Sequence, residues 1–410
     1  MNSITSDSQT SSRPLSRSAR LKTAFILGSL SAFGPLSLDM YLPALPKLAE
    51  ELNATASIIQ LSLTSCLLGL ALGQLAAGPM SDVRGRRAPL IISLCIYAIS
   101  SLLCVFAPSA WILIALRFVQ GLSGSAGIVI SRAVVRDLYS GTELTKFFSL
   151  LMLVNGAAPI LAPIFGGQLL QFTSWRGVFV VLALIGVVMM IAVLFGLPES
   201  LPRERRQSGG FAAMWMTFRR LLGDRLFIGF CLTQGLVSAA MFAYISGSSF
   251  VMQNVFEVSP QMYSFIFATN GVGIIIASQT TGRLAGKIKE AKMLQFGLVL
   301  ALAGATGLLT AILLGGKLIT VLIPLFFVVS CVGIISTSSF SLAMQSQGKA
   351  AGSASALLGL IPYILGATVA PLVGLGGEHT AVPLGIVIVI AELGAVCSYL
   401  LLVRPRLISK

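Results

Sequence analysis

The 410 residues carry 28 Lys and Arg against 14 Asp and Glu, a net charge of +14, and 56% are hydrophobic while only 10% are charged. Soluble globular chains carry about 25% charged residues, so an ordinary water-facing surface is excluded. With one histidine, His379, and six cysteines that form no CxxC pair, there is little to build a metal centre or an imidazole-dependent triad. Gly315-Gly316-Lys317 lacks the flanking residues of a phosphate loop, which argues against a nucleotide-driven pump.

Residues 1 to 22 are rich in Ser and Thr, carry Arg13, Arg17, Arg20 and Lys22, and read as a tail. The apolar stretch that follows is too long for a signal-peptide core. Apolar runs long enough to cross a bilayer then fall at 23–45, 57–79, 89–107, 111–131, 147–171 and 177–197. A polar, basic connector occupies 198–225, and a second set follows at 226–250, 261–282, 293–314, 319–341, 352–375 and 383–403, before a short tail at 404–410. The pattern predicts an all-α integral membrane protein of twelve transmembrane helices in two six-helix bundles, 23–197 and 226–403. All six cysteines lie within the apolar runs and read as small buried residues.

When alternate loops are assigned to opposite sides, 24 Lys and Arg fall on one side and only Lys47, Arg176 and Lys317 on the other, with Arg117 inside a span. The positive-inside rule places both termini and the connector in the cytoplasm. The basic excess is then a topology signal and an affinity for anionic membrane lipids, with no nucleic-acid partner required. Internal symmetry is faint: the turn Gly78 to Arg87 has a basic counterpart, Gly282 to Lys287, without the aspartate. Repeated halves suit a transporter with a central site. Small residues every fourth position (Gly69, Gly73, Ala77; Ala158, Ala162, Gly166; Gly366, Ala370, Gly374) predict close helix contacts.

The run Gly78 to Arg87, with Asp82, Gly85, Arg86 and Arg87, resembles the loop signature of the major facilitator superfamily. Leu116 to Gly121 resembles that family's buried-arginine motif. Pro159 and the run Ala162-Pro163-Ile164-Phe165-Gly166-Gly167 resemble its antiporter motif, with Ala162 where Gly is usual. Leu38 to Pro46, Trp175-Arg176 and Leu197 to Ser200 are similar to the Bcr/CflA (bicyclomycin and chloramphenicol resistance) drug:proton antiporters. The resemblance implies a monomeric, multi-pass antiporter of the cell (inner) membrane that exports small, chemically varied molecules against protons. It needs no cofactor, and the Gly78 to Arg87 loop acts as a latch between the halves.

Asp39 and Arg117 both fall about six residues from the outer end of their spans, roughly 9 Å deep. Two opposite charges at one level suggest a pair or a shared water-filled cavity. For proton coupling Asp39 must change protonation state in the cycle, burial disfavouring its charge and Arg117 favouring it. Glu392, in the middle of the twelfth span, is expected to be neutral or hydrogen-bonded and is a second candidate for the proton. Asn155, Gln234 and Asn270, with Phe33, Tyr41, Tyr244 and Tyr363, are candidates to line an amphipathic substrate cavity, although aromatic residues in spans are as readily packing anchors. Asp82 can pair with the positive end of a neighbouring helix, and the polar run Ser346 to Lys349 would make a suitable partner. Two rival readings are an exporter of one endogenous metabolite, such as an amino-acid derivative, and a membrane-embedded enzyme or receptor; the second is disfavoured for want of a nucleophile, metal cluster or soluble domain.

Overall fold

The computed structural model describes residues 17–139, 141–206, 211–345, 347 and 351–408. It is all-helical, with no strand among the described residues. The first half contains the spans Lys22–Glu51, Ala56–Arg84, Arg87–Val105, Ala110–Leu138, a fifth helix Gly141–Leu169 whose apolar part is Leu153–Leu169, and Trp175–Gly196. The second half contains Arg225–Val255, Pro260–Leu284, Glu290–Leu313, Leu318–Met344, Ser353–Gly376 and Val382–Arg406. Large apolar side chains stand on the outer surface, Phe172 at 84%, Phe195 at 81% and Leu401 at 75% exposed. Water would penalise such a surface, and hydrocarbon covers it without cost.

Most helices outrun the apolar runs that predicted them. The second span continues through Pro79 to Arg84 and the fourth continues to Leu138, past Arg132, Arg136 and Asp137. A helix satisfies its own backbone wherever it goes, so it need not stop where charge begins; hydropathy reports the hydrocarbon boundary, not the helix end. The first span shows the opposite effect. It breaks between Ser31 and Phe33, where Pro35 removes one backbone donor, and again at Leu42–Ala44, between segments that Pro43 and Pro46 interrupt. Asp39 is the last residue of the short helix Phe33–Asp39 between these breaks.

Two expectations need correction. Cys66, Cys104, Cys231 and Cys331 are buried, but Cys95 and Cys397 are exposed, because an apolar position in a membrane protein can equally face lipid. The connector is not a plain polar loop either. It contains the helix Phe211–Gly223, whose Phe218 and Leu221 are buried with Phe227 and Phe230 of the seventh span.

The halves meet along two seams, the second span against the eleventh and the fifth against the eighth. Within the first half the second and fourth spans lie so close that a Cβ on Gly69 would collide with the Phe118 carbonyl, and one on Gly121 with that of Cys66. The Gly69 and Gly73 stripe therefore brings two backbones together. Among the described residues, six hydrogen bonds from side chains to backbone carbonyls join the halves at the end remote from the termini. Gln60 Nε2 donates to Ser246 O (3.2 Å), Thr64 Oγ1 to Ala367 O (3.2 Å) and Ser57 Oγ to Pro371 O (3.1 Å). Ser249 Oγ donates to Leu42 O (2.5 Å), Gln253 Nε2 to Pro43 O (3.1 Å) and Gln261 Nε2 to Gly167 O (3.0 Å). That end is shut. At the end bearing the termini, a vestibule of about 410 Å³ separates the second and fourth spans from the eleventh.

Candidate functional site

At mid-depth, residues of both halves enclose a cavity of about 260 Å³. Pro35, Leu38 and Asp39 of the first span and Asn155 and Pro159 of the fifth line it from one side, with Tyr244, Phe267 and Tyr363 facing them. The lining is almost wholly apolar, the kind of wall that accepts a small amphipathic molecule and orients it by a few polar groups. Asp39 is 5% exposed, and its carboxylate makes no hydrogen bond or ion pair among the described residues.

Arg117 does not pair with it. The guanidinium donates from Nη2 to Ser37 O (2.7 Å) and from Nη1 to Gln120 Oε1, and Gln120 Nε2 passes the chain on to Ser101 Oγ (2.7 Å). Its carbon lies 4.4 Å from the Tyr41 ring centroid and 5.7 Å from that of Phe179. Since Ser37 and Tyr41 flank Asp39, the acid and the base do share a level, but Arg117 is fully buried behind Tyr41 and clamps the first span to the fourth. Tyr41 itself bonds Ser62 Oγ (3.0 Å) and Phe33 packs edge-on against Tyr97, so neither is among the residues lining the cavity.

The remaining candidates divide. Asn270 donates to Tyr244 Oη (2.8 Å), and Tyr244 stacks on Phe267, which fixes that wall. Asn155 donates from Nδ2 to Leu151 O (2.8 Å) at the cavity edge. Gln234, with a buried Oε1 that has no partner among the described residues, lies outside the cavity lining. Glu392 also lies outside it, fully buried, with both carboxyl oxygens unpartnered among the described residues. Of the antiporter motif, Pro159 lines the cavity, Pro163 and Gly166 are buried, and a Cβ on Gly166 would collide with the Met40 carbonyl, one residue from Asp39. Gly167 packs likewise on Ser264 of the eighth span, so this stretch sets the first, fifth and eighth spans against one another.

At the terminal-bearing end Arg86 is the hub of the loop. Its Nη1 reaches Asp82 Oδ1 (2.6 Å) and Ser81 Oγ (2.7 Å), and its Nε reaches Asp137 Oδ2 (2.9 Å). Glu199 accepts from the backbone N–H of Arg86 (2.8 Å) and Arg87 (3.2 Å), capping the third span, and Arg87 donates to Leu194 O. Gly85, at φ +91°, brings the backbone against Glu199 and Arg206 where a Cβ has no room. Gly78 lines the vestibule. Of the run proposed to face Asp82, Ser346, Gly348 and Lys349 lie outside the described residues, and Gln347 donates to Asp224 Oδ2 (3.3 Å). Asp137 and Ser37 were not singled out by sequence reasoning, and Gln120 and Glu199 lay within the motifs Leu116 to Gly121 and Leu197 to Ser200 without being given a role.

The Major Facilitator Superfamily model matches residues 27–405. The chain belongs to this superfamily of transporters. It is 46% identical over 383 residues, 93% of this chain and 95% of the relative, to the uncharacterized MFS-type transporter YdgK of Bacillus subtilis. It is 30% identical over 367 residues, 88% of this chain and 92% of the relative, to a bicyclomycin resistance protein homolog of Haemophilus influenzae, in keeping with the Bcr/CflA signature of the first span. In fold it is similar to the crystal structure of a bacterial homolog of the human lysosomal transporter Spinster, at a TM-score of 0.74 and 16% identity, covering 94% of this chain and 96% of that one. The chain is thus a multi-pass membrane transporter of small molecules, not an enzyme.

Proposed function

We propose that the chain is a proton-coupled antiporter of the cell membrane, both termini cytoplasmic, that exports small amphipathic compounds by alternating access, with Asp39 as the coupling acid. The observation that carries this reading is the position of Asp39: a carboxylate on the wall of an apolar cavity shared by both halves, with no fixed partner. A permanently paired acid cannot be both loaded and unloaded in a cycle, whereas one held only by a cavity is governed by whatever enters. Arg117, committed to Ser37 and Gln120, holds the helix that carries the acid and leaves the carboxylate free. The closed far end and the vestibule opposite correspond to one state of the cycle, open toward the side with 24 basic loop residues. No cofactor enters this scheme; the proton gradient drives it. The name of the Haemophilus influenzae relative supports drug-like cargo.

The test is Asp39→Asn, which keeps size and polarity but cannot titrate. The variant should insert and bind a candidate drug yet fail to export it uphill from a drug-sensitive host, and wild-type protein in weakly buffered detergent should release a proton on binding where the variant does not. Uphill export by the variant at the wild-type rate would move the coupling role elsewhere, with Glu392 first in line.

A further inference from the structure

The terminal-bearing vestibule is chemically unlike the central cavity. Arg132 and Arg136 of the fourth span line it, and neither makes a hydrogen bond or ion pair among the described residues. Arg86, the third cation there, is already held by Asp82 and Asp137. Gln74 and Ser355 add donors from the second and eleventh spans. The Tyr363 hydroxyl faces Gln74 and Arg132, and Tyr363 also lines the central cavity, so the two spaces adjoin. Arg132 lies about 9 Å from the end of its helix at 1.5 Å per residue, where it lines the vestibule together with Arg136 one turn on. Two free guanidinium groups and the neutral donors Gln74 and Ser355, with the single lining acid already neutralised, make an environment that attracts an anion in a planar, bidentate manner.

We propose that this vestibule binds the carboxylate, sulfonate or phosphate group of an amphipathic anion through Arg132 and Arg136, while the apolar body of the same molecule reaches toward the central cavity past Tyr363. The inference rests on the transporter reading above and narrows its cargo to amphiphiles with an acidic end. The same chemistry would hold the headgroup of an acidic lipid entering between the second and eleventh spans.

Thermal melting of the purified chain in neutral detergent tests it, with 1-naphthoate and 1-naphthamide as a pair that differs in charge but hardly in shape. Naphthoate should raise the melting temperature with an apparent affinity at least about tenfold better than naphthamide. Arg132→Gln should erase that preference, Arg136→Gln should weaken it, and Arg132→Lys should keep part of it. Phosphatidylglycerol against phosphatidylcholine forms the second arm. An Arg132-dependent response to naphthoate assigns the site to soluble cargo, and one to phosphatidylglycerol alone assigns it to a lipid headgroup. Equal response to acid and amide, no response to any anion, or a preference that survives both glutamine variants would overturn the site. None of these outcomes depends on Asp39, so uphill export by Asp39→Asn would sink the coupling role and leave the anion preference standing.

Discussion

Arg117 is held by acceptors on two sides of its guanidinium and by the face of Tyr41, a combination that needs a planar fork. Lysine has the charge, but its donors sit on one nitrogen instead of a planar fork, and it has no stacking surface. Arg117→Lys should therefore cost on the order of 3 kcal/mol, read as a lower melting temperature in detergent, while Asp39→Asn leaves melting nearly unchanged. Equal losses in the two would mean that they form one structural pair after all. Glu199 is a different kind of residue. Burial opposes its charge, but the N–H groups of Arg86, Leu201 and Arg87 and the nearby Arg206 outweigh that and hold the carboxyl below the ordinary range. Because the folded value is depressed, its contribution is present above about pH 4.3 and disappears as pH falls through the folded value. Glu199→Gln should lower stability by about 1 kcal/mol at neutral pH, with the gap to wild type closing below pH 4; a gap unchanged at pH 3 would contradict the capping role. Asp39 was legible in the sequence because a lone acid in an apolar run stands out. The hold of the Ser37 carbonyl on Arg117 and the capping by Glu199 were not, since they are contacts between positions 80 and 113 residues apart.

At the scale of the helix, composition reveals what the solvent demands and little of what the backbone does. Twelve spans could be read from apolar length, but their ends could not, and the breaks around Asp39 were visible only as the prolines of the Leu38 to Pro46 motif. The connector helix escaped because its buried face is short and basic residues surround it. Gly166 shows what a single position does to two helices: the fifth span touches the first at the Met40 carbonyl with no side chain between them. Gly166→Ala would push the helices apart beside Asp39. Transport should fall at least about tenfold, as expected for a displacement near 1 Å at a positioned group, while the protein still inserts and remains monodisperse. Wild-type transport by that variant would show that the approach is not needed.

For the whole molecule, the alternation of basic loops predicts the side on which the vestibule opens. In a cysteine-free background, a single cysteine at position 317 should react with an impermeant external thiol reagent in intact cells and one at position 205 should not; the reverse pattern would turn the transporter over. The six bonds that close the far end share a further property. Each runs from a neutral Ser, Thr or Gln side chain to a backbone carbonyl, so breaking them moves no formal charge. Parting those six bonds is electrically silent. A membrane voltage, worth about 2.3 kcal/mol per charge for each 100 mV, has no grip on those six bonds; in the mechanism proposed above it acts on the proton carried by Asp39 and on any charge on the cargo.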